Sequence, residues 1–377
     1  MPRTRSRVDG DAPGDVGPVA RIGRPQNARA VLASEACAGQ RTGGCASPIE
    51  DGRSSGLASV SVRVPRISPV TYRRIALVSV VLLAVIIVTG GAVRLSGSGL
   101  GCSDWPNCEQ GGVFPPRGTA DVHAMVEFVN RMFTGLVSIG VIVCVLASMA
   151  RVPRRRDLVW LSVGLVAGVI AQIVLGGLTV LFELRPEFVM AHFLVSLVLL
   201  ANALVLYRRA SEPVGPPRSG VDDRVRTMAW ALLAVAAVVV TTGTVVTATG
   251  PHGGDEKAKR FAFDLFTVTR IHGTTVVIFL GLVLGTLWLL RRTTAPRDVH
   301  ARLGLLLVAV VVQGAIGYTQ YLIGIPELLV GFHLAGATAV WSATVWFILG
   351  LVVRDPVPGA RAPEVGTPVA PSPMVAS

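Results

Sequence analysis

The stretch Gln172-Ile-Val-Leu-Gly176, followed by Pro186-Glu187 and His192, returns later in the chain as Gln313-Gly-Ala-Ile-Gly317, Pro326-Glu327 and His333. Gln and His stand 20 residues apart both times, across a mostly apolar stretch interrupted by Pro-Glu. Each copy reads as the end of one apolar helix, a short turn, and the start of the next. A second pair keeps nearly the same register: Thr89-Gly90-Gly91-Ala92-Val93 and Thr242-Gly243-Thr244-Val245-Val246. An offset of 140 to 153 residues thus relates two halves of the chain. Polar residues hold this register, so likeness between Gly-rich apolar segments by chance is a poor account of it.

Crossing the hydrocarbon core of a bilayer takes about 20 apolar residues. Eight stretches free of charge qualify: Ile75–Val93, Met132–Ala150, Leu158–Phe182, Phe188–Tyr207, Thr227–Gly250, Ile271–Leu290, Leu303–Ile325 and Leu328–Val353. They are too long for strands and lack strict alternation. Four spans per half is an even number, so the repeat is parallel, with a pseudo-twofold along the membrane normal. The expected fold is therefore an all-α polytopic membrane protein, with eight transmembrane helices arranged as two parallel-repeat four-helix bundles.

Composition agrees. Of 377 residues, 51% are hydrophobic and 15% charged, yet the formal net charge is +12. Few charges with a large positive excess require segregation of the charges from the apolar runs. That excludes an ordinary soluble enzyme and a disordered nucleic-acid binder. Placing the termini and the even-numbered loops on one side gathers 27 of the 35 Lys and Arg residues there. Arg154-Arg155-Arg156, Arg208-Arg209 and Arg291-Arg292 sit at span ends, where this bias counts most. Both termini are expected in the cytoplasm, and the basic charge reports topology, with no nucleic acid involved.

The domain reading follows. Residues 1–70 read as a disordered cytoplasmic tail, 71–210 as the N-terminal bundle, 211–226 as a cytoplasmic linker, 227–353 as the C-terminal bundle, and 354–377 as a second disordered tail.

The repeat sorts the histidines. His192 and His333 hold matching positions in spans 4 and 8, while the counterpart of His272 in span 6 is Asn130 in span 2. His333 lies roughly 10 Å along its helix from Pro326, and His272 roughly 12 Å from Asp264, a candidate N-cap, at a rise of 1.5 Å per residue. Both spans start from the outer face, so the two imidazoles reach similar depth in one bundle. Such a pair suits axial ligation of one haem iron. Buried interhelical hydrogen bonding is the plainer alternative. Intramembrane His is costly, which favours a functional role. In the first half, His123, Glu127 and Asn130 share one helical face. His123 reaches an iron there if the helix continues outward from Asp121. Glu127 either pairs with Arg131 at i, i+4 or places a carboxylate beside an oxidisable substrate. Cys102 and Cys108 stand in the first outer loop, where disulfides are permitted, either as a loop staple or as a reactive pair.

Several runs together resemble the haem A synthase family of terminal-oxidase assembly factors. They are Gly90-Gly91-Ala92-Val93-Arg94-Leu95-Ser96-Gly97-Ser98-Gly99-Leu100 leading to Cys102-Ser103-Asp104-Trp105-Pro106, then Glu127-Phe128-Val129-Asn130-Arg131, and Gly250-Pro251-His252-Gly253-Gly254-Asp255. The likeness runs from about residue 72 to 353. It implies oxidation of the C8 methyl group of substrate haem O to the formyl group of haem A. It also implies a haem b held by residues matching His272 and His333, a catalytic carboxylate at Glu127, and the outer-loop cysteine pair at Cys102 and Cys108. The family's Glu-x-x-His-Arg pattern reads Glu-x-x-Asn-Arg here, so one first-half ligand is absent. Either His123 replaces it, or His192 alone holds the substrate iron.

The expected partners are haem O, the lipid bilayer, a haem O synthase and an electron donor, in a bacterial plasma membrane, with an oligomer compatible with the sequence. Two other functions fit parts of the pattern: a quinol-linked membrane cytochrome b and a parallel-repeat transporter. The His positions lie away from the midplane, and spans 1, 3, 5 and 7 carry no charge, both of which weigh against transport.

Overall fold

Why eight apolar runs become eight helices is visible at their ends in a computed structural model, which describes residues 66–102, 104–108, 112, 114 and 122–355. Of the tails expected at residues 1–70 and 354–377, residues 1–65, with Cys37 and Cys45, and residues 356–377 lie outside the described residues, as does Asp121. Ser68 caps α1 (Pro69–Leu95) by accepting from Thr71 N–H, and proline stands at the first helical turn. α2 (Val122–Ala150), α3 (Arg156–Leu181) and α4 (Pro186–Ser211) complete the first half. In the second half, Asp222 caps α5 (Asp223–Thr249), and Asp264 caps α6 (Leu265–Arg291) through Thr267 N–H at 2.8 Å. α7 (Arg297–Leu322) and α8 (Glu327–Gly350) follow.

These are eight helices of 24 to 29 residues, each long and apolar enough to cross a membrane. At 1.5 Å per residue they run about 36–44 Å, more than the hydrocarbon core, so their basic ends reach the headgroups. Large apolar side chains cover the outside; Trp160, Tyr318 and Leu328 are each more than 70% exposed to the surroundings. A soluble protein would not survive that surface, and a multi-pass membrane protein requires it.

Within each half the helices pack as a ring: α1 on α2, α2 on α3, α3 on α4 and α4 on α1, then likewise α5 to α8. Each ring has an apolar core, around Leu83, Val141, Leu165 and Leu200 in one and Leu232, Phe279, Leu303 and Phe347 in the other, and Val345 of α8 joins the first. The seam between them is formed by α1 and α4 against α8 and by α4 against α5. There Trp341 Nε1 donates to Leu197 O at 2.9 Å.

The connections after α1, α3, α5 and α7 meet at one end, called distal here. Arg94 donates to Thr247 O and His252 O, Gly99 N–H to Gly254 O, and His252 Nε2 to Ile325 O at 2.8 Å. At the opposite, proximal end the linker after α4 holds a strand, β1 (Pro217–Ser219). It pairs antiparallel with β2 (Val352–Arg354), which follows α8. Composition gave no sign of this clasp, because its three-residue strands are too short for any periodicity. Buried Arg155 there bridges Asp157 and the carbonyls of Arg209 and Glu212.

Candidate functional site

α6 carries His272 two turns in from its Asp264 cap, and α8 carries His333 two turns in from Pro326. The two rings face each other inside the second ring of helices, with centroids 6.5 Å apart and planes at 78°. One metal ion held about 2 Å from a nitrogen of each ring separates the centroids by roughly 6 Å, so the spacing fits shared axial ligation. Each ring has a seat on the neighbouring helix. A Cβ at Gly243 would lie 3.0 Å from His272 Cε1, and one at Gly317 only 2.7 Å from His333 Cε1. Glycine at these positions lets the imidazoles lie flat against α5 and α7.

Hydrogen bonds orient the rings. Thr242 Oγ1 donates to the Val238 and Val239 carbonyls at 3.0 Å and lies 3.1 Å from His272 Nδ1. With its own proton engaged, the hydroxyl accepts Nδ1–H, leaving His272 Nε2 with its lone pair available to a metal. Gln313 Nε2 donates to His333 O at 2.7 Å and fixes the backbone from which that ring projects. His333 Nδ1 is buried and finds no protein partner among the described residues. Among those residues, no group of three or more His, Cys, Asp or Glu is placed to hold a metal ion. Two imidazoles alone suit a metal whose remaining donors come from a porphyrin.

The first half repeats this scaffold with one change. His192 on α4 lies against Gly176 of α3, where a Cβ would meet its Cε1 at 3.5 Å, and its Nδ1 is likewise buried and without a protein partner. Gln172 Nε2 donates to His192 O at 3.1 Å, the counterpart of the Gln313 bond. The 20-residue spacing read from the sequence is therefore a direct side-chain to backbone contact. The fourth seat is occupied by Asn130, whose Oδ1 accepts from Thr89 Oγ1 at 3.0 Å. Thr89 stands beside Asn130 where Thr242 stands beside His272, but donates where Thr242 accepts.

His123 is helical, in the first turn of α2, with Nδ1 3.0 Å from Ser98 Oγ. Glu127 is 6% exposed and fully engaged. Its Oε2 accepts Cys102 N–H at 2.8 Å, and its Oε1 pairs with Arg131 at 2.5 Å. Arg131 also donates to Asn107 O at 2.8 Å and to the Asp104 and Cys102 carbonyls. The i, i+4 ion pair exists, and it grips the cysteine loop as well. Cys102 and Cys108 form a disulfide, with both residues buried. Gly101 is required here, because a Cβ would lie 2.4 Å from the α2 backbone at His123. Trp105 lays its indole on Gly177 of α3, so the loop spans the distal end of the first ring.

The sequence reading missed two roles. The Thr and Gly seats marked the repeat, but only packing showed that they receive imidazoles. The other is Arg94, which turns inward and binds the end of α5 and the α5–α6 connection.

Comparison with known proteins converges on the same half. Residues 73–251 match the cytochrome oxidase assembly protein family. A heme A synthase of Lysinibacillus sphaericus is 32% identical over 133 residues, covering 35% of this chain and 42% of that protein. One from Exiguobacterium sibiricum is 29% identical over 167 residues, covering 44% and 55%. One from Bacillus pumilus is 29% identical over 136 residues, covering 36% and 43%. The chain spans about half the length of the curated relatives it matches. That match runs from α1 through α5, across the glycine-rich exit of α1, the clamped cysteine loop and the His192 scaffold, and over these residues the chain is similar to the cytochrome oxidase assembly protein family.

Proposed function

We propose that the protein is a haem A synthase, which oxidises the C8 methyl group of haem O to a formyl group. The observation that carries this reading is the facing pair His272 and His333, 6.5 Å apart, together with its partial copy at His192. In this assignment His272 and His333 hold a haem b in the second half, and His192 holds the substrate iron in the first. A bound haem b supplies one-electron redox chemistry beside the substrate site.

The chain's own residues then have distinct tasks. Thr242 fixes the His272 tautomer, and Gln313 and Gln172 fix the helical turns bearing His333 and His192. Trp105 and the disulfide loop cover the first half at its distal end and keep water from it. Glu127 is the proposed catalytic carboxylate; Arg131 and Cys102 N–H hold it at the mouth of that half. The distal end is assigned to the outer face of a bacterial plasma membrane and the proximal end, with both termini, to the cytoplasm. The basic residues at the proximal helix ends support this orientation. A haem O synthase and an electron donor complete the proposed set of partners.

Porphyrins extracted from the purified protein and weighed by mass spectrometry test the assignment. Haem O or haem A beside haem B is expected. Haem B alone, at two per chain, would instead make the protein an electron-carrying cytochrome b, which the His pair serves equally well. Glu127→Ala should retain haem b and make no haem A; undiminished haem A would sink the role given to that carboxylate.

A further inference from the structure

The duplication creates four equivalent seats for an imidazole, and three are filled by histidine. His272 rests on Thr242 and Gly243, His333 on Gln313 and Gly317, and His192 on Gln172 and Gly176. The fourth seat has its threonine, Thr89, and its glycine, Gly90, but carries Asn130. A Cβ built on Gly90 meets nothing within 4 Å, whereas at Gly243 it would press on the His272 ring. The seat is built for a ring and holds a shorter side chain.

An amide is no substitute for imidazole, since its nitrogen lone pair is delocalised into the carbonyl and is not available to iron. Thr89 engages Oδ1 of Asn130, which leaves its NH2 as the end turned away from Thr89. His123 stands seven residues earlier on α2, roughly 10 Å along the helix from Asn130, with Nδ1 beside Ser98. It belongs to the distal loop layer and not to the fourth seat.

We propose that the first-half site binds its porphyrin iron through His192 alone, and that Asn130, oriented by Thr89, presents a hydrogen-bond donor to the opposite face. The inference rests on the haem reading above and deepens it. The halves then differ in kind: the second is closed at both axial positions, the first is open at one. A small diatomic or anionic ligand fits the open position, with the Asn130 amide to bind it.

Spectroscopy of the full-length protein tests this without an activity measurement. The detergent-purified protein is loaded with haem B and haem O, its porphyrins are counted by mass, and its spin states are read by electron paramagnetic resonance. The expected result is one low-spin iron and one high-spin iron that binds carbon monoxide after reduction. His192→Ala should remove the carbon monoxide site, and His272→Ala should leave it. Asn130→His should convert that iron to low spin and cut the carbon monoxide-binding fraction about tenfold or more. If the wild-type first-half iron is already low-spin and becomes reactive only in His123→Ala, His123 fills the position and the proposal is overturned. If the protein holds a single iron that His192→Ala does not change, the first-half site itself fails, and the haem O reading fails with it.

Discussion

The proton on His272 Nδ1 has an acceptor in Thr242 Oγ1, and engaging that nitrogen leaves the other to bind a metal. Partners of this kind typically change metal affinity by about 10- to 100-fold when removed. Thr242→Val keeps the shape and deletes this acceptor, so affinity for the proposed haem b should fall by about tenfold or more, measured by titration of the apoprotein. Gly317→Val tests the seat instead of the hydrogen bond. Its Cβ alone would come 2.7 Å from His333 Cε1, and the ring must move. The low-spin spectrum of the proposed haem b should disappear while the helical circular dichroism stays; a retained spectrum would show that the glycine seat is dispensable. His272 and His333 were legible in the sequence because a charged or polar residue inside an apolar run is conspicuous. Their Thr and Gly partners were not, because those types are common in membrane helices for packing reasons alone.

Among elements, the α1–α2 loop is the one whose structure depends most on a single helix turn. Glu127 and Arg131, one turn apart on α2, take up the Cys102 N–H and the carbonyls of Cys102, Asp104 and Asn107. The disulfide is buried behind this clamp. Arg131→Ala should therefore leave the disulfide intact but let a water-soluble reductant reach it, giving at least about tenfold faster reduction by thiol labelling. Equal rates would mean that the loop holds itself shut. Asp264 gives a pH-dependent case at the start of α6. Hydrogen bonds from Thr267 hold its carboxyl below the usual carboxylate range. A folded-state pKa below the unfolded one adds stability that is complete above the unfolded value and is lost as pH falls through the folded one. Hydrogen exchange at the first-turn amides of α6 should quicken on acidification, and in Asp264→Ala it should already be quick at neutral pH. The cap was readable, since Asp before an apolar run is a start signal. The clamp was only half readable: the i, i+4 pair follows from spacing, but the loop it holds is 24 or more residues away in sequence.

At the scale of the whole molecule, the eight spans followed from apolar length and segregated charge, and the contacts among the helices are consistent with two halves. The contacts between the halves did not follow. Arg94 and Thr247 are 153 residues apart, Leu197 and Trp341 144, and nothing periodic links them. Such contacts are settled by which faces meet after the helices are placed. Removing Arg94 leaves the carbonyls of Thr247 and His252 without that donor, a loss of about 1–3 kcal/mol for a buried polar group. Arg94→Leu should lower the thermal midpoint in detergent by several degrees; an unchanged midpoint would mean that water replaces the guanidinium without cost.

The seam has a mechanical consequence. Its ties lie at different depths: Arg94 on Thr247 and His252 at the distal end, Trp341 on Leu197 near mid-helix, and Arg354 on Glu212, 3.4 Å apart, at the proximal end. A hinge can open at one end only by pivoting on the other, and here neither end nor the centre is free to serve as pivot. Rocking one half against the other would break ties at all three levels together, whereas helices within one ring can part locally without disturbing the opposite ring. The architecture is stiff between its repeats, which is the reverse of what alternating access demands.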